Sequence, residues 1–210
     1  AAKAQEMSDA PLLPPVLRDD AFQVALVTLP KAKATQQAIA ALSGDNLGRR
    51  SLAVQFLVGG SNELHLIRGK FLLQGSFVLH SFGGQEAVDL QPPSGVTAEQ
   101  IRPLLKSADP LVAAHAGYLL ALAGSDDGME KLLSYWRSQK GSRQATDRLV
   151  YRAIAALEAT QYVPLLTEIF ERLPHGGDDA YREFYWTIRR LGGPESLELR
   201  QRIRDKVGMD

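Results

Sequence analysis

The sequence contains no cysteine among its 210 residues. Disulfide bonds, thiolate nucleophiles, cysteine-ligated zinc and iron–sulfur clusters are therefore excluded. Neither charge is in excess, because 24 lysine and arginine residues balance 24 aspartate and glutamate residues. The composition thus lacks the basic character that indicates binding to nucleic acid or to an anionic membrane, although it leaves a local basic stripe open.

Long hydrophobic runs are also missing. No apolar stretch reaches the roughly 18–20 residues that a membrane-spanning helix needs, so we predict no transmembrane segment. Apolar residues still make up 45% of the chain, enough to bury a core. The chain begins at Ala1 rather than Met, and its opening fits a mature N-terminus after signal cleavage as well as an excised domain. A soluble chain is expected, and its compartment, including an extracytoplasmic one, stays open.

Motifs with a defined chemistry are absent too. The sequence has no Walker loop, no Gly-x-Gly-x-x-Gly fingerprint and no Gly-x-Ser-x-Gly nucleophile elbow. Its four histidines lack the acidic neighbours of a His-Glu-x-x-His metal motif. We therefore predict no catalytic residue, no metal site and no cofactor. Enzymatic activity stays open, with a non-enzyme favoured.

Several titratable residues have a structural interpretation. His115 lies beside an apolar stripe and is interpreted as a packed histidine rather than a ligand. Three acidic pairs stand at predicted helix starts, where carboxylates satisfy free N–H groups. These pairs are Asp19-Asp20, Asp126-Asp127 and Asp178-Asp179. Helix capping is favoured for them over acid–base catalysis or calcium binding.

The N-terminal half is predicted in two parts. Residues 1–18 are rich in alanine and proline, which predicts an extended leader. Residues 19–95 are interpreted as divergent helical repeats, in which Asp45 caps a helix that runs to about Val58.

A β interpretation of this region remains open. Phe71-Leu72-Leu73 and Phe77-Val78-Leu79 flank a Gln-Gly-Ser segment, as in a β-hairpin. The alternative to helical repeats is therefore a small α+β domain over about 20–92, with strands near 51–58 and 71–82.

Residues 96–210 carry clear helix signals. Thr97 and Gln100 have the spacing of a capping box. Asp109-Pro110 begins another helix, because aspartate caps its free N–H groups and proline tolerates the first position. Gly124 is expected to end that helix. An all-α domain is predicted over this range.

Apolar residues recur at the ends of these helices. One column consists of Val54, Leu79, Leu119, Ile154 and Ile188. Three residues downstream lie Leu57, Phe82, Leu122, Leu157 and Leu191. Three residues upstream lie Ser51, Ser76, Ala116, Tyr151 and Tyr185. Because steps of three stay on one helix face, these columns predict a single buried stripe in each repeated unit.

The repeated unit resembles the HEAT repeats, in particular the short type named after phycobilisome lyases. The residues that carry the resemblance are Asp109-Pro110, Ala113-Ala114, Ala116, Leu122, Gly124 and Leu132-Leu133. The turns at Phe82-Gly83-Gly84 and Leu191-Gly192-Gly193-Pro194 fit as well. The resemblance implies an α-solenoid of stacked antiparallel helix pairs over 96–210, because one pair cannot bury its stripe alone. The competing interpretation is an irregular helical bundle.

The best candidate for a functional surface is a set of arginines with one tryptophan. The same register places these residues on the outward side of the second helices. The equivalent outward positions of the preceding repeat carry only the small residues Ala113 and Gly117. The arginines and the tryptophan are Arg148, Arg152, Arg182, Trp186 and Arg189, with Arg190 beside them. Arginine and tryptophan are enriched at binding hot spots. The plainer interpretation is a solvated face on which the arginines pair with Asp147, Glu183 and Glu158.

Three functions follow as hypotheses. The first is a non-catalytic protein–protein interaction scaffold or accessory subunit, with a protein partner on the arginine–tryptophan surface. The second rests on the resemblance, which implies an enzyme-associated protein such as a bilin lyase-type subunit. The third is a nucleic-acid-binding HEAT-like protein, against which the pI of 7.2 argues.

Overall fold

The computed structural model of the chain describes residues 2–9, 14–59, 65–67, 70–72, 90–139, 144–173 and 178–208. The chain divides into two compact units. The first unit comprises residues 1–78 and 93–116, and the second comprises residues 79–92 and 117–210. The division falls inside a helix and does not coincide with the predicted boundary at residue 95.

The first unit is mainly helical. Its elements are α1 (Ala2–Asp9), α2 (Pro15–Thr28), α3 (Lys31–Leu42), α4 (Leu47–Gly59), β1 (His65–Ile67), β2 (Lys70–Leu72), α5 (Ala98–Ile101), a 3-10 helix (Arg102–Lys106) and the start of α6 (Pro110–Leu122). Its most buried large side chains are Leu26, Leu42, Phe56 and Ile101.

The expectation of an extended leader over residues 1–18 is wrong. Ala2–Asp9 forms α1, and Pro15 occupies the first position of α2. Proline fits there because the first N–H of a helix has no intrahelical partner. Asp19 consequently lies inside α2 and does not cap it. Instead, the carboxylate of Asp19 accepts a hydrogen bond from the side chain of Asn46 at 3.1 Å.

The β alternative for the N-terminal region is wrong near residues 51–58, which belong to α4. Helix α4 begins one residue later than predicted, because Asn46 rather than Asp45 accepts the N–H of Arg49, at 3.0 Å. A short antiparallel ribbon pairs β1 with β2. The second predicted strand overlaps β2 only at Phe71-Leu72, and its remainder lies outside the described residues.

The predicted caps of α5 and α6 are confirmed. Thr97 and Gln100 form a reciprocal capping box, and the N–H of Leu111 donates to Asp109 at 2.9 Å. Helix α6 ends at Leu122, and Gly124 adopts φ 80° in the turn that follows. There the N–H of Ser125 donates to the carbonyl of Leu120 at 2.9 Å, the bond of a Schellman motif.

The second unit consists of the end of α6 and helices that follow it. They are α7 (Met129–Ser138), α8 (Gln144–Ala156), a 3-10 helix (Thr160–Tyr162), α9 (Val163–Arg172), α10 (Asp178–Ile188) and α11 (Pro194–Val207). Helix α8 packs against α7 and α10, whereas α11 packs against α9 and α10. The regular secondary structure of the described residues is therefore helical apart from the β1–β2 ribbon, which agrees with the all-α prediction.

The central column of the repeat pattern is buried wherever it is described. Val54, Leu119, Ile154 and Ile188 are each at most 1% exposed. Two positions predicted to be outward differ from expectation. Ala113 and Gly117 are both buried, because α6 is enclosed on all sides from Val112 to Ala121.

The acidic pair at Asp126-Asp127 does not provide the predicted side-chain cap, since Gly128 is the N-cap residue of α7. The side chains of Asp178 and Asp179 lie outside the described residues. Among the residues that are described, none of the helices combines the length and apolar character that crossing a membrane requires.

Candidate functional site

Helix α10 presents a mixed cationic and aromatic surface. Arg182, Trp186 and Arg189 follow one another at steps of four and three residues, so they share one side of the helix. Both arginines are exposed, and Trp186 is half-buried. The guanidinium of Arg189 lies 5.1 Å from the centroid of the Trp186 ring, a cation–π geometry. Tyr185 supports the same indole edge-on, with ring centroids 5.5 Å apart.

A buried carboxylate attaches α10 to α8. Glu183 is only 4% exposed. Its Oε1 atom accepts hydrogen bonds from Nε and Nη2 of Arg152 at 3.0 Å and 2.6 Å, and its Oε2 atom pairs with Nη2 of Arg148. The two arginine side chains are themselves only 16% and 19% exposed. This arginine–glutamate cluster fixes the two helices against each other.

Two tyrosines extend the cluster into the core. Burial raises the pKa of Tyr118, against the opposing charge of Arg152, which also hydrogen-bonds to it. Burial likewise raises the pKa of Tyr151, which is bonded to Arg148. Burial alone would lower the pKa of Arg152, but the oxygens of Tyr118 and Glu183 outweigh this and raise it. Both phenols therefore stay neutral and the guanidinium of Arg152 stays charged at ordinary pH.

The five predicted site residues fall into two groups. Arg148 and Arg152 pair with Glu183, as the plainer interpretation expected, but in a largely buried cluster and not on a solvated face. Arg182 and Trp186 on α10 form the outer group with Arg189 and Arg190, which directly follow the helix. We call these four residues the α10 surface. Only this second group offers exposed side chains to a partner.

A second buried carboxylate lies on the other side of α8. Asp147 accepts hydrogen bonds from Nε1 of Trp136 at 2.6 Å and from Nη2 of Arg172 at 3.0 Å. The Arg172 guanidinium also lies 4.7 Å from the centroid of the Trp136 ring. Trp136 is 2% exposed, so its ring lies in the core. Its bond to Asp147 was missed, because nothing in the local pattern distinguishes Asp147 from a surface acid.

Two further features are a cavity in the second unit and the metal-binding capacity of the described residues. A cavity of about 390 Å³ in the second unit is lined by Gly124, Asp126, Leu157, Glu158, Ala159, Gln161 and Tyr162. The described residues contain no cluster of three or more histidine, aspartate or glutamate side chains that would hold a metal ion. The site with the most defined geometry is therefore the α10 surface with the arginine–glutamate cluster beneath it.

Comparison of the chain with family models, with curated proteins and with solved structures gave no significant match. The geometry of these side chains is consequently the basis for a functional assignment.

His115 is a packed histidine, as the sequence predicts. It is 1% exposed, and neither ring nitrogen has a hydrogen-bond partner among the described residues. Burial lowers its pKa from 6.5 to about 4, although the charge of Asp109 acts in the opposite direction. The imidazole is therefore neutral at ordinary pH.

Proposed function

We propose that the chain is a non-catalytic binding subunit, a HEAT-like α-solenoid that holds a partner protein on its α10 surface. The observation that carries the proposal is the half-buried Trp186 flanked by the exposed guanidiniums of Arg182 and Arg189. Tryptophan and arginine contribute disproportionately to binding energy when a partner covers them.

Helix packing in the second unit supports the solenoid. Alternate helices contact each other, α8 with α10 and α9 with α11. Side chains extend the same pattern, since Tyr118 of α6 bonds to Arg152 of α8, and Arg172 of α9 covers Trp136 of α7. Two layers, one of even-numbered and one of odd-numbered helices, are what stacked antiparallel pairs produce.

The arginine–glutamate cluster supports binding by a rigid surface. Two charged hydrogen bonds from Arg152 and an ion pair from Arg148 hold Glu183, so the position of α10 is set before a partner arrives. A preorganised surface loses less conformational entropy on association than a mobile one. Arg148 and Arg152 thus act by positioning α10 and not as the main contacts.

A capture experiment tests this function. The immobilised chain is compared with the triple variant Arg182→Ala/Trp186→Ala/Arg189→Ala in lysate of the source cells. We expect proteins retained by the wild type to fall at least about tenfold on the variant, since hot-spot truncations commonly cost more than about 1.4 kcal/mol. Quantitative mass spectrometry provides the measurement.

The matched control removes two positive charges from α7, in the variant Lys131→Ala/Arg137→Ala, where both side chains are exposed. It should retain the same proteins as the wild type. Circular dichroism melts establish that both variants are folded. If every retained protein is retained equally by the triple variant, the α10 surface is not the binding site.

A further inference from the structure

We infer that the α10 surface binds an acidic segment of its partner, three or four residues long and in extended conformation. This inference rests on the proposed function, because it specifies the chemistry of the partner that the same surface would hold. It follows from the charge, the hydrogen-bonding capacity and the length of the surface.

The described side chains from Tyr181 to Arg190 include one acidic residue, Glu183. Its side chain is 1% exposed and is bound to two guanidiniums of α8. Glu183 therefore cannot offset the exposed arginines, and the cluster that buries it has more positive than negative groups.

The outer arginines are not paired by their neighbours in the described part of the second unit. The ion pairs found there join other side chains, namely Arg148–Glu183, Arg152–Glu183, Arg172–Asp147, Arg172–Glu168 and Arg202–Glu171. One turn before Arg189 and Arg190 the helix carries Tyr185 and Trp186, which are not acidic. Positive charge thus accumulates at the end of α10.

The hydrogen-bonding groups of the surface are all donors. A guanidinium and an indole N–H can donate but cannot accept. The complementary ligand must therefore offer acceptors without donors, as ionised carboxylates do. Arginine matches a carboxylate in particular, because its planar fork can donate two parallel hydrogen bonds.

Length favours a short peptide over nucleic acid. Helix α10 rises about 9 Å from Arg182 to its last residue, Ile188, at 1.5 Å per residue. An extended chain covers that distance in about three residues, and Arg189 and Arg190 continue the surface beyond the helix. Nucleic-acid binding typically engages about six to ten phosphates over a basic face, whereas this chain has a formal net charge of zero. An acidic peptide segment fits both the size of the surface and the overall charge.

The test uses labelled peptides and the full chain in fluorescence anisotropy. One peptide carries four consecutive glutamates within a Gly-Ser sequence, and a second carries glutamines instead. We expect the glutamate peptide to bind at least about tenfold more tightly, with the concentration of the unlabelled chain extended to about 1 mM to cover weak binding. Its affinity should fall as salt is raised from about 50 mM to about 300 mM.

Variants separate this surface from general charge effects. Arg182→Ala/Arg189→Ala should lower the affinity for the glutamate peptide by about tenfold or more, since each arginine contact to a carboxylate is charge-assisted. Lys131→Ala/Arg137→Ala removes the same charge and should leave the affinity unchanged. Equal binding of the two peptides, or equal loss in both variants, would overturn the inference. Tighter binding of a 20-base-pair duplex, lost only in the α10 variant, would replace it with a nucleic-acid function.

The segment of the partner that the chain contacts allows the inference to be tested separately from the proposed function on which it rests. Hydrogen exchange on a partner identified by capture locates the segment that this chain protects. Protection of an acidic segment supports the inference. Protection of a segment without acidic residues overturns it and leaves the proposed function standing, whereas the absence of any α10-dependent partner removes the function.

Discussion

At the scale of single residues, Glu183 holds the second unit together by charge. Its carboxylate is 1% exposed and contacts two guanidiniums that are 16% and 19% exposed. In Glu183→Gln these two cations would lose the carboxylate that they share in a largely buried site. We expect a loss of about 3–5 kcal/mol in the free energy of unfolding, the usual cost of breaking a buried pair. Urea unfolding at pH 7 measures it.

Two further variants separate the charge effect from a general loss of packing. Glu198→Gln on α11 is exposed and should change stability by less than about 0.5 kcal/mol. The triple replacement Arg148→Met/Arg152→Met/Glu183→Leu should recover part of the loss, because it removes the buried charges together. The recovery is partial because Tyr118 and Tyr151 lose their arginine partners. A Glu183→Gln variant as stable as Glu198→Gln would contradict this account.

His115 links stability to pH. Its pKa is about 4 in the folded chain and 6.5 in the unfolded reference. Between these values the unfolded chain binds more protons, so stability is complete above about pH 6.5 and falls toward pH 4, by on the order of 3 kcal/mol. In His115→Leu this part of the pH dependence should disappear. Denaturant unfolding measures the free energy of unfolding of the wild type and of His115→Leu at pH 7 and at pH 4.5. An equal decrease in both proteins between these pH values would contradict the prediction.

At the scale of elements, Gly117 sets the distance between α6 and the start of α7. A Cβ atom at Gly117 would lie 2.3 Å from the carbonyl oxygen of Gly128. Because that neighbour is backbone, Gly117→Ala must displace the chain, at a cost of about 1–3 kcal/mol. This cost should exceed the roughly 1 kcal/mol that alanine gains in helix propensity. Thermal unfolding would then give a lower Tm.

The control for this element is Gly192→Ala. Gly192 is exposed, and a Cβ atom there meets nothing within 4 Å. Alanine at that position should leave Tm unchanged or raise it slightly, because it restricts the unfolded chain. A Tm for Gly117→Ala at or above that of Gly192→Ala would mean that the helices separate without cost.

Element boundaries were predictable where one residue type satisfies a specific backbone need. In the sequence, Asp109 predicts the start of α6 and Gly124 predicts its end. Both predictions are confirmed, since Asp109 accepts the N–H of Leu111 and Gly124 adopts a positive φ. Prolines misled the prediction in the leader, since Pro15 begins α2 rather than breaking a helix. Pro103 has a local effect that spacing alone does not specify, because the chain changes there from α5 to a 3-10 helix.

At the scale of the whole molecule, charge balance conceals how charge is distributed. The formal net charge is zero, yet Glu183 is buried whereas Arg182 and Arg189 are exposed. Sequence spacing placed Arg148, Arg152 and Arg182 on one outward side. It could not divide them into buried and exposed groups, because that depends on which side of α10 faces α8. The helical class and the central buried column were predictable, since periodicity alone determines them.

Trp136 and Trp186 are the two tryptophans of the chain, and they have opposite environments. Trp136 is 2% exposed and bonded to Asp147, whereas Trp186 is half-buried beneath Arg189. The intrinsic fluorescence of the protein therefore has two independent sources. In Trp136→Phe the remaining emission reports occupancy of the α10 surface, and in Trp186→Phe it reports the integrity of the interior. The two single-tryptophan variants thus distinguish binding from unfolding by intrinsic fluorescence, without an added label.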